Sequence, residues 1–484
     1  MASIGTIRFL LAFAVLAPSS ASAGQAPFAS SATDIPVSGR DRVYAAEQFS
    51  NTVSVIDPAS NKLLGSIRLG DPQPANFSPL YRGQLLVHGM NFSPDHKTIA
   101  VVSIGSNSVT FIDTVTNRIT ATTYIGRSPH EPFFTPDGRE LWVTVRGEDY
   151  ISIIDTVSHR EIGRVTTPGG AGMTVFSPDG KLAYVCSSFT PQLVVFDVAS
   201  RSEVGRVAQP SPFCPNIAAS PDGTQVWYTL KDIGKTIVMA ARPPFAIKKV
   251  IDTGPITNHV NFAYNRNGKF AYVTVGGLNL VKVFRQDDFA LVATIPVGRL
   301  PHGIWPSGDG SRVYVGLENA DAMVAIDTIA NQVIATIAIG QAPQAVNYVP
   351  NAVPVGDGRQ GLQPLGLAGS AAHLALGSNG NATTSVTLFD QGLVQVLQAA
   401  VTGLKPTSRY LLALSERSDG TGPLQPLASF MTNLAGAAIV NTTGPIRQLV
   451  KPDAPAATRF LVIATDAPEN PGEIVQRQIG AVTN

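Results

Sequence analysis

Over most of the chain, apolar and polar positions alternate in short runs bounded by turn residues, a period of two that predicts β-strands. One unit shows the pattern in full: PFFT (132–135), ELWVTV (140–145), YISIID (150–155) and EIGRVTT (161–167). Pro-Asp-Gly separates the first two runs, and Asp-Thr-Val-Ser-His separates the last two, both turn-forming. No window has the 3.6-residue spacing of an amphipathic helix, which excludes a helical solenoid. The unit recurs in FSPDHKTIAVVSIGSNSVTFIDTVTNRITATTYIG (92–126) and FSPDGKLAYVCSSFTPQLVVFDVASRSEVGRVAQP (176–210). Its turn aspartates Asp95, Asp137, Asp179, Asp222 and Asp309, with Asn267 in the same slot, lie 42 to 45 residues apart. Four short antiparallel strands at that period make the blade of a β-propeller.

The third strand of the unit occurs seven times, ending at Asp57, Asp113, Asp155, Asp197, Ala241, Arg285 and Asp327. The turn after the first strand occurs only six times. The chain enters its first blade at the second strand, VYAAEQ (43–48), and APQAVNYVPNAV (342–353) has the pattern of the missing first strand. Pairing of that return segment with the N-terminal blade is expected to close the ring and remove its exposed edges. Blades five and six drift: IVMAARPPFAIKKVIDTG (237–254) and KVFRQDDFALVATIPVG (282–298) lack the Asp-Thr turn. The predicted class is all-β: a seven-bladed propeller over 40–353, a linker over 354–370, and a small β-sandwich over 371–484.

YVCSS, YVTVG, YVGLEN, VSVIDPASNKLLGSIRLG and VAIDTIANQVIATIAIG resemble the YVTN-type β-propeller repeat of secreted bacterial and archaeal proteins. The resemblance covers about 40–353 and implies the fold. Its family includes surface-layer and periplasmic binding proteins, and related propellers include lactonases, lyases and reductase domains, so chemistry has to be read from the site. Leu404-Lys405-Pro406-Thr407-Ser408-Arg409-Tyr410 is similar to the L-x-P-x-x-x-Y stretch of fibronectin type III-like sandwiches. In those domains the tyrosine hydroxyl bonds nearby backbone. The C-terminal unit reads as a docking, spacing or capping module.

The 484 residues carry a formal net charge of +1 with Lys and Arg dispersed, which gives no basic face for nucleic acid. Arg8 precedes FLLAFAVLA (9–17), and Ala21-Ser22-Ala23 follows, the pattern of a Sec-type signal peptide cleaved after Ala23. The apolar run is too short to span a bilayer, and no later one is long enough. The expectation is an exported protein, periplasmic or secreted, with no integral membrane segment after cleavage. In an oxidising compartment Cys186 and Cys214 form either a disulfide or two buried thiols.

Four of the seven histidines stand at the start of a first strand. His88, His130 and His302 share one offset, and His259 is displaced by one. First strands line a propeller's channel, so these imidazoles ring one mouth. They would either bind a transition metal (copper, zinc or iron), with Glu131, Met90 and Cys214 nearby, or serve the turn and the channel. Contact with an organic ligand is a third role. The loops after the second strands bring Glu47, Arg146, Glu148, Lys231, Glu318 and Asp321 to the same face. This mixture of charges suits a small polar ligand. Both cysteines belong to that face, in neighbouring blades. The long link 70–87, with Phe77, Tyr81 and Arg82, is expected to cover part of the channel. Haem-attachment, HExxH and GxSxG motifs are absent. The resulting expectation is a binding or scaffold protein that recognises a small ligand or a protein partner at the His-bearing mouth. The alternative is a metalloprotein or a lyase, lactonase or reductase-like enzyme centred on the His ring.

Overall fold

The computed structural model describes residues 35–70, 85–366, 371–390, 395–444, 446, 450, 458–466 and 472–483. The leader 1–23 and most of the link 70–87 lie outside the described residues. Seven four-stranded antiparallel sheets succeed one another along the chain, the blades of a propeller. The innermost strands of blades two to seven are Val87–Phe92, Pro129–Phe134, Ala171–Phe176, Ile217–Ala219, Thr257–Asn265 and Pro301–Pro306. The innermost strand of blade one is Pro343–Val349, which pairs with Arg42–Glu47 and closes the ring. Tyr348 fixes that seam by donating its hydroxyl to Asp41 Oδ2 at 2.5 Å.

Burial explains why these segments read as they do. Innermost strands such as Pro129–Phe134 and Pro301–Pro306 are buried at every position, because one blade packs on each face. Outermost strands such as Arg160–Thr166 alternate exposed and half-buried residues, because one side meets water. The tyrosine of the recurring Tyr-Val pair reaches into the next blade: Tyr184 donates to the Ala241 carbonyl at 2.6 Å, and Tyr314 to Asn61 Oδ1 at 3.0 Å. Asp95, Asp137, Asp179 and Asp309 accept backbone and hydroxyl hydrogens within their own turns, which is why Asp recurs there.

The C-terminal strands form one antiparallel sheet. In spatial order they are Leu424–Met431, Arg409–Ser415, Phe460–Thr465, Ile474–Thr483, Ala372–Ser378, Asn381–Asp390, Gln395–Val401 and Ala438–Gly444. The sheet rolls around its own core, which includes Leu374, Leu388, Leu397, Leu412 and Ile463, until its edges approach: Thr442 Oγ1 donates to the Leu427 carbonyl at 3.1 Å. The sandwich is thus a nearly closed single sheet. Tyr410 closes the corner as its motif implies, its hydroxyl accepting the Lys405 N–H at 3.2 Å.

This unit sits on the propeller. Phe389 stacks on Phe49 with ring centroids 4.4 Å apart, and Ala400, Ala437 and Ile439 pack against Ile256 and Leu300. Asn319 donates to Ser385 Oγ at 3.0 Å, and Gln398 Nε2 donates to Glu318 Oε1 at 2.7 Å. These contacts fall on blades one, six and seven, on the face where the innermost strands begin. No helix of the described residues is long and apolar enough to cross a membrane.

Candidate functional site at the capped propeller mouth

The histidines occupy interruptions in the β-ladder. In blade two, Val87 pairs with Ser103 and Met90 with Val101, so the inner strand spends one extra residue there. The same irregularity lies between Pro129 and Pro132, Thr257 and Val260, and Pro301 and Ile304. Such a bulge releases a side chain from the pleat and re-aims it. The glycines after His88 and His302 allow the next blade to approach: a Cβ on Gly89 would strike the His130 carbonyl oxygen, and one on Gly303 the Gln344 carbonyl. His259 takes the second position of its bulge, where Glu131 stands in blade three, and Asn258 takes the first, which His88, His130 and His302 occupy in their blades.

The four imidazoles form a chain. Ring centroids of His130 and His88 are 4.5 Å apart, those of His88 and His302 6.3 Å, and those of His302 and His259 4.5 Å. All four are buried. His130 Nδ1 lies 2.7 Å from the Gly172 carbonyl oxygen, and His302 Nδ1 2.7 Å from that of Gln344. A carbonyl only accepts, so both Nδ1 atoms carry the proton and both Nε2 atoms keep a lone pair. Burial lowers the basicity of all four rings, His88, His130 and His259 well below the usual range, and the neighbouring positive groups lower it further. They are neutral near pH 7.

Charged groups surround the rings. Glu131 Oε1 is 3.8 Å from His88 Nδ1, and burial pushes the Glu131 carboxyl up to about 8. Arg146 and Lys231 are half-buried, and desolvation lowers both. Arg146 acts electrostatically on His88, His130 and Glu131, and Lys231 on His130, His259, His302 and Glu318. Beneath the rings the channel holds a small cavity of about 30 Å³, lined by Glu131 and His259 and, deeper, by Met90, Met173, Trp305 and Asn347. Glu131 Oε1, Trp305 Nε1 and Asn347 Oδ1 are buried without a hydrogen-bond partner among the described residues.

No protein-family model and no curated protein matches the sequence. Solved structures do match. Kuenenia stuttgartiensis hydrazine synthase aligns at 20% identity and TM-score 0.50, over 55% of this chain and 90% of that one. A functionally unknown protein from Desulfotomaculum acetoxidans DSM 771 aligns at 15% identity and TM-score 0.54, over 63% of this chain and 98% of that one. At such identities the likeness is one of fold.

The remaining candidates have structural partners. The buried Glu47 carboxylate accepts the Gly340 N–H at 2.8 Å and the Thr52 hydroxyl, which ties it to the ring seam. Glu148 pairs with Arg127 at 2.7 Å on the outer rim. Asp321 faces His373 of the C-terminal unit at 3.6 Å, and Glu318 is held by Gln398. Cys186 and Cys214 form a disulfide between blades four and five, with Cα atoms 5.9 Å apart, so Cys214 is no metal ligand. The imidazoles have the chemistry a transition metal needs, yet among the described residues no three His, Cys, Asp or Glu side chains are set to hold one ion. Sequence reasoning missed Gln344 and Gln398, whose roles depend on a neighbouring blade and on the C-terminal unit.

Proposed function

We propose that the protein is an exported binding protein. It would capture a small polar ligand at the capped mouth, between the imidazole chain and the channel cavity below. The observation that carries this reading is the convergence of four neutral, bulge-mounted histidines above a cavity whose lining keeps unpartnered polar atoms. Buried polar groups are costly without partners, and a bound ligand or ordered water supplies them. The resemblance to secreted YVTN-type repeats, the signal-like leader and the inter-blade disulfide all support export.

The test is a ligand screen by thermal shift on the purified mature chain, repeated with the His130→Ala/His302→Ala double variant. A ligand that raises Tm in the parent and not in a folded double variant supports the reading. Ligands that stabilise both equally would remove it.

A second reading places a transition metal among the same histidines. It is favoured by the Nδ1 anchors of His130 and His302, the arrangement that orients imidazole ligands toward an ion. Elemental analysis of untagged protein decides it: stoichiometric copper, zinc or iron that the double variant loses supports it, and metal-free protein that still binds its ligand rejects it.

A further inference from the structure

We infer that the ligand of this mouth is a small oxyanion, carboxylate or phosphate, held between Arg146 and Lys231. The inference rests on the binding reading above and adds the ligand's charge. Arg146 stands at the end of the second strand of blade three, and Lys231 at the same point of blade five. Among the described residues neither has a carboxylate within ion-pair distance, and the Lys231 ammonium lies over the Phe213 ring, 5.9 Å from its centroid. The rim arginines behave differently: Arg127 pairs with Glu148 at 2.7 Å, and Arg164 with Glu161 at 2.6 Å. Two cations withdrawn from water and left unpaired are costly, and an anion between them offsets that cost.

The acids nearby do not take that place. Glu318 is engaged by Gln398, and Glu131 faces His88 at 3.8 Å. Asp232 and Glu318 act on Lys231, and Glu131 on Arg146, from beyond ion-pair distance, which leaves the place between the two cations to a small anion. The imidazoles add directional contacts, because an Nε2 lone pair accepts a hydrogen from a ligand hydroxyl or amine. Access is available as well. The cap's contacts fall on blades one, six and seven, whereas Arg146 and Lys231 stand on blades three and five and are only half-buried.

The experiment is titration calorimetry of the mature full-length protein with acetate, succinate, citrate and inorganic phosphate, and with succinamide as a neutral isostere. Variants Arg146→Gln and Lys231→Gln test the site, and Arg127→Gln serves as a rim control. Saturable binding of at least one anion is expected, weaker by roughly tenfold or more in each site variant and in high salt, and unchanged in Arg127→Gln. The carboxylate and phosphate arms identify which oxyanion is held. Absence of saturable anion binding overturns the inference, as does binding indifferent to both site variants. If succinamide binds as well as succinate, and the His130→Ala/His302→Ala variant loses it, the anion assignment falls while the mouth remains a binding site. If no compound responds to any variant, both fall.

Discussion

At the scale of single residues, one position links the blades three times by a hydroxyl and once by a covalent bond. The next-to-last residue of the second strand is Thr144 in blade three, Thr229 in blade five and Thr274 in blade six. Each donates to an inner-strand carbonyl of the following blade: Gly172 at 2.9 Å, Asn258 at 2.5 Å and His302 at 2.9 Å. In blade four the same position is Cys186, and its link to the following blade is the disulfide to Cys214. The threonines are visible in the sequence as part of strands, but their role is not, because the acceptor belongs to another repeat. Thr229→Val keeps the shape and removes the donor, and is expected to cost about 1–2 kcal/mol in chemical denaturation. Thr229→Ser should restore most of it. Equal stability of the Val and Thr forms would show that the bond contributes nothing. Replacing both cysteines by serine opens a closed loop whose ends are 28 residues apart and should cost about 2–4 kcal/mol. Parent protein assayed under reducing conditions should lose a similar amount.

At the scale of elements, the period of two and the spacing of the turns are enough to reveal seven blades and the origin of the missing inner strand. Those patterns are local, and the pairing of Pro343–Val349 with Arg42–Glu47 follows from counting. The bulges that carry the histidines are not legible in this way. An extra residue in one strand changes no hydrophobic period, and it shows only in which residues face each other across the ladder. The His-Gly pairs at 88–89 and 302–303 are its one trace, since the glycine marks where the neighbouring blade's backbone passes close. Gly89→Ala and Gly303→Ala should each cost about 1–3 kcal/mol through overpacking. Each should also displace the imidazole NMR signals of its own blade and the next. Gly39→Ala, at a site with nothing within 4 Å of the added carbon, is the neutral comparison. If the glycine variants match Gly39→Ala in stability and leave the imidazole signals in place, the bulges do not aim the histidines.

At the scale of the whole molecule, the C-terminal unit covers the channel mouth at blades one, six and seven. Its contacts join residues far apart in the chain, Phe49 with Phe389 and Glu318 with Gln398, and no sequence pattern marks such pairs. Only the choice among docking, spacing and capping was within reach of the sequence. The mouth holds buried titratable groups of two kinds, and their opposition sets the pH dependence of stability. His88, His130, His259, His302 and His373 all have lowered pKa values, His373 to about 4, so the unfolded chain binds more protons than the native one as pH falls through 6.5. Stability is then lost toward acid. Glu47, Glu131 and Asp321 are raised by burial to about 7, 8 and 8, so the native state holds protons that the unfolded chain has released, and stability is lost as pH rises from about 4.5 to 8. Below 6.5 the histidines outnumber these carboxylates, and above it the carboxylates remain alone. Carboxylates held low by hydrogen bonds, Asp222 among them, titrate below this window. Unfolding free energy should therefore peak at about pH 6.5–7, with each limb sloping at about 1.4 kcal/mol per pH unit for each net proton. His130→Gln/His302→Gln should flatten the acid limb, and Asp321→Asn the alkaline limb, in denaturation measured across the range. A profile without a maximum, or an acid limb unchanged in the double variant, would show that these groups are not buried in the folded protein as the capped mouth requires.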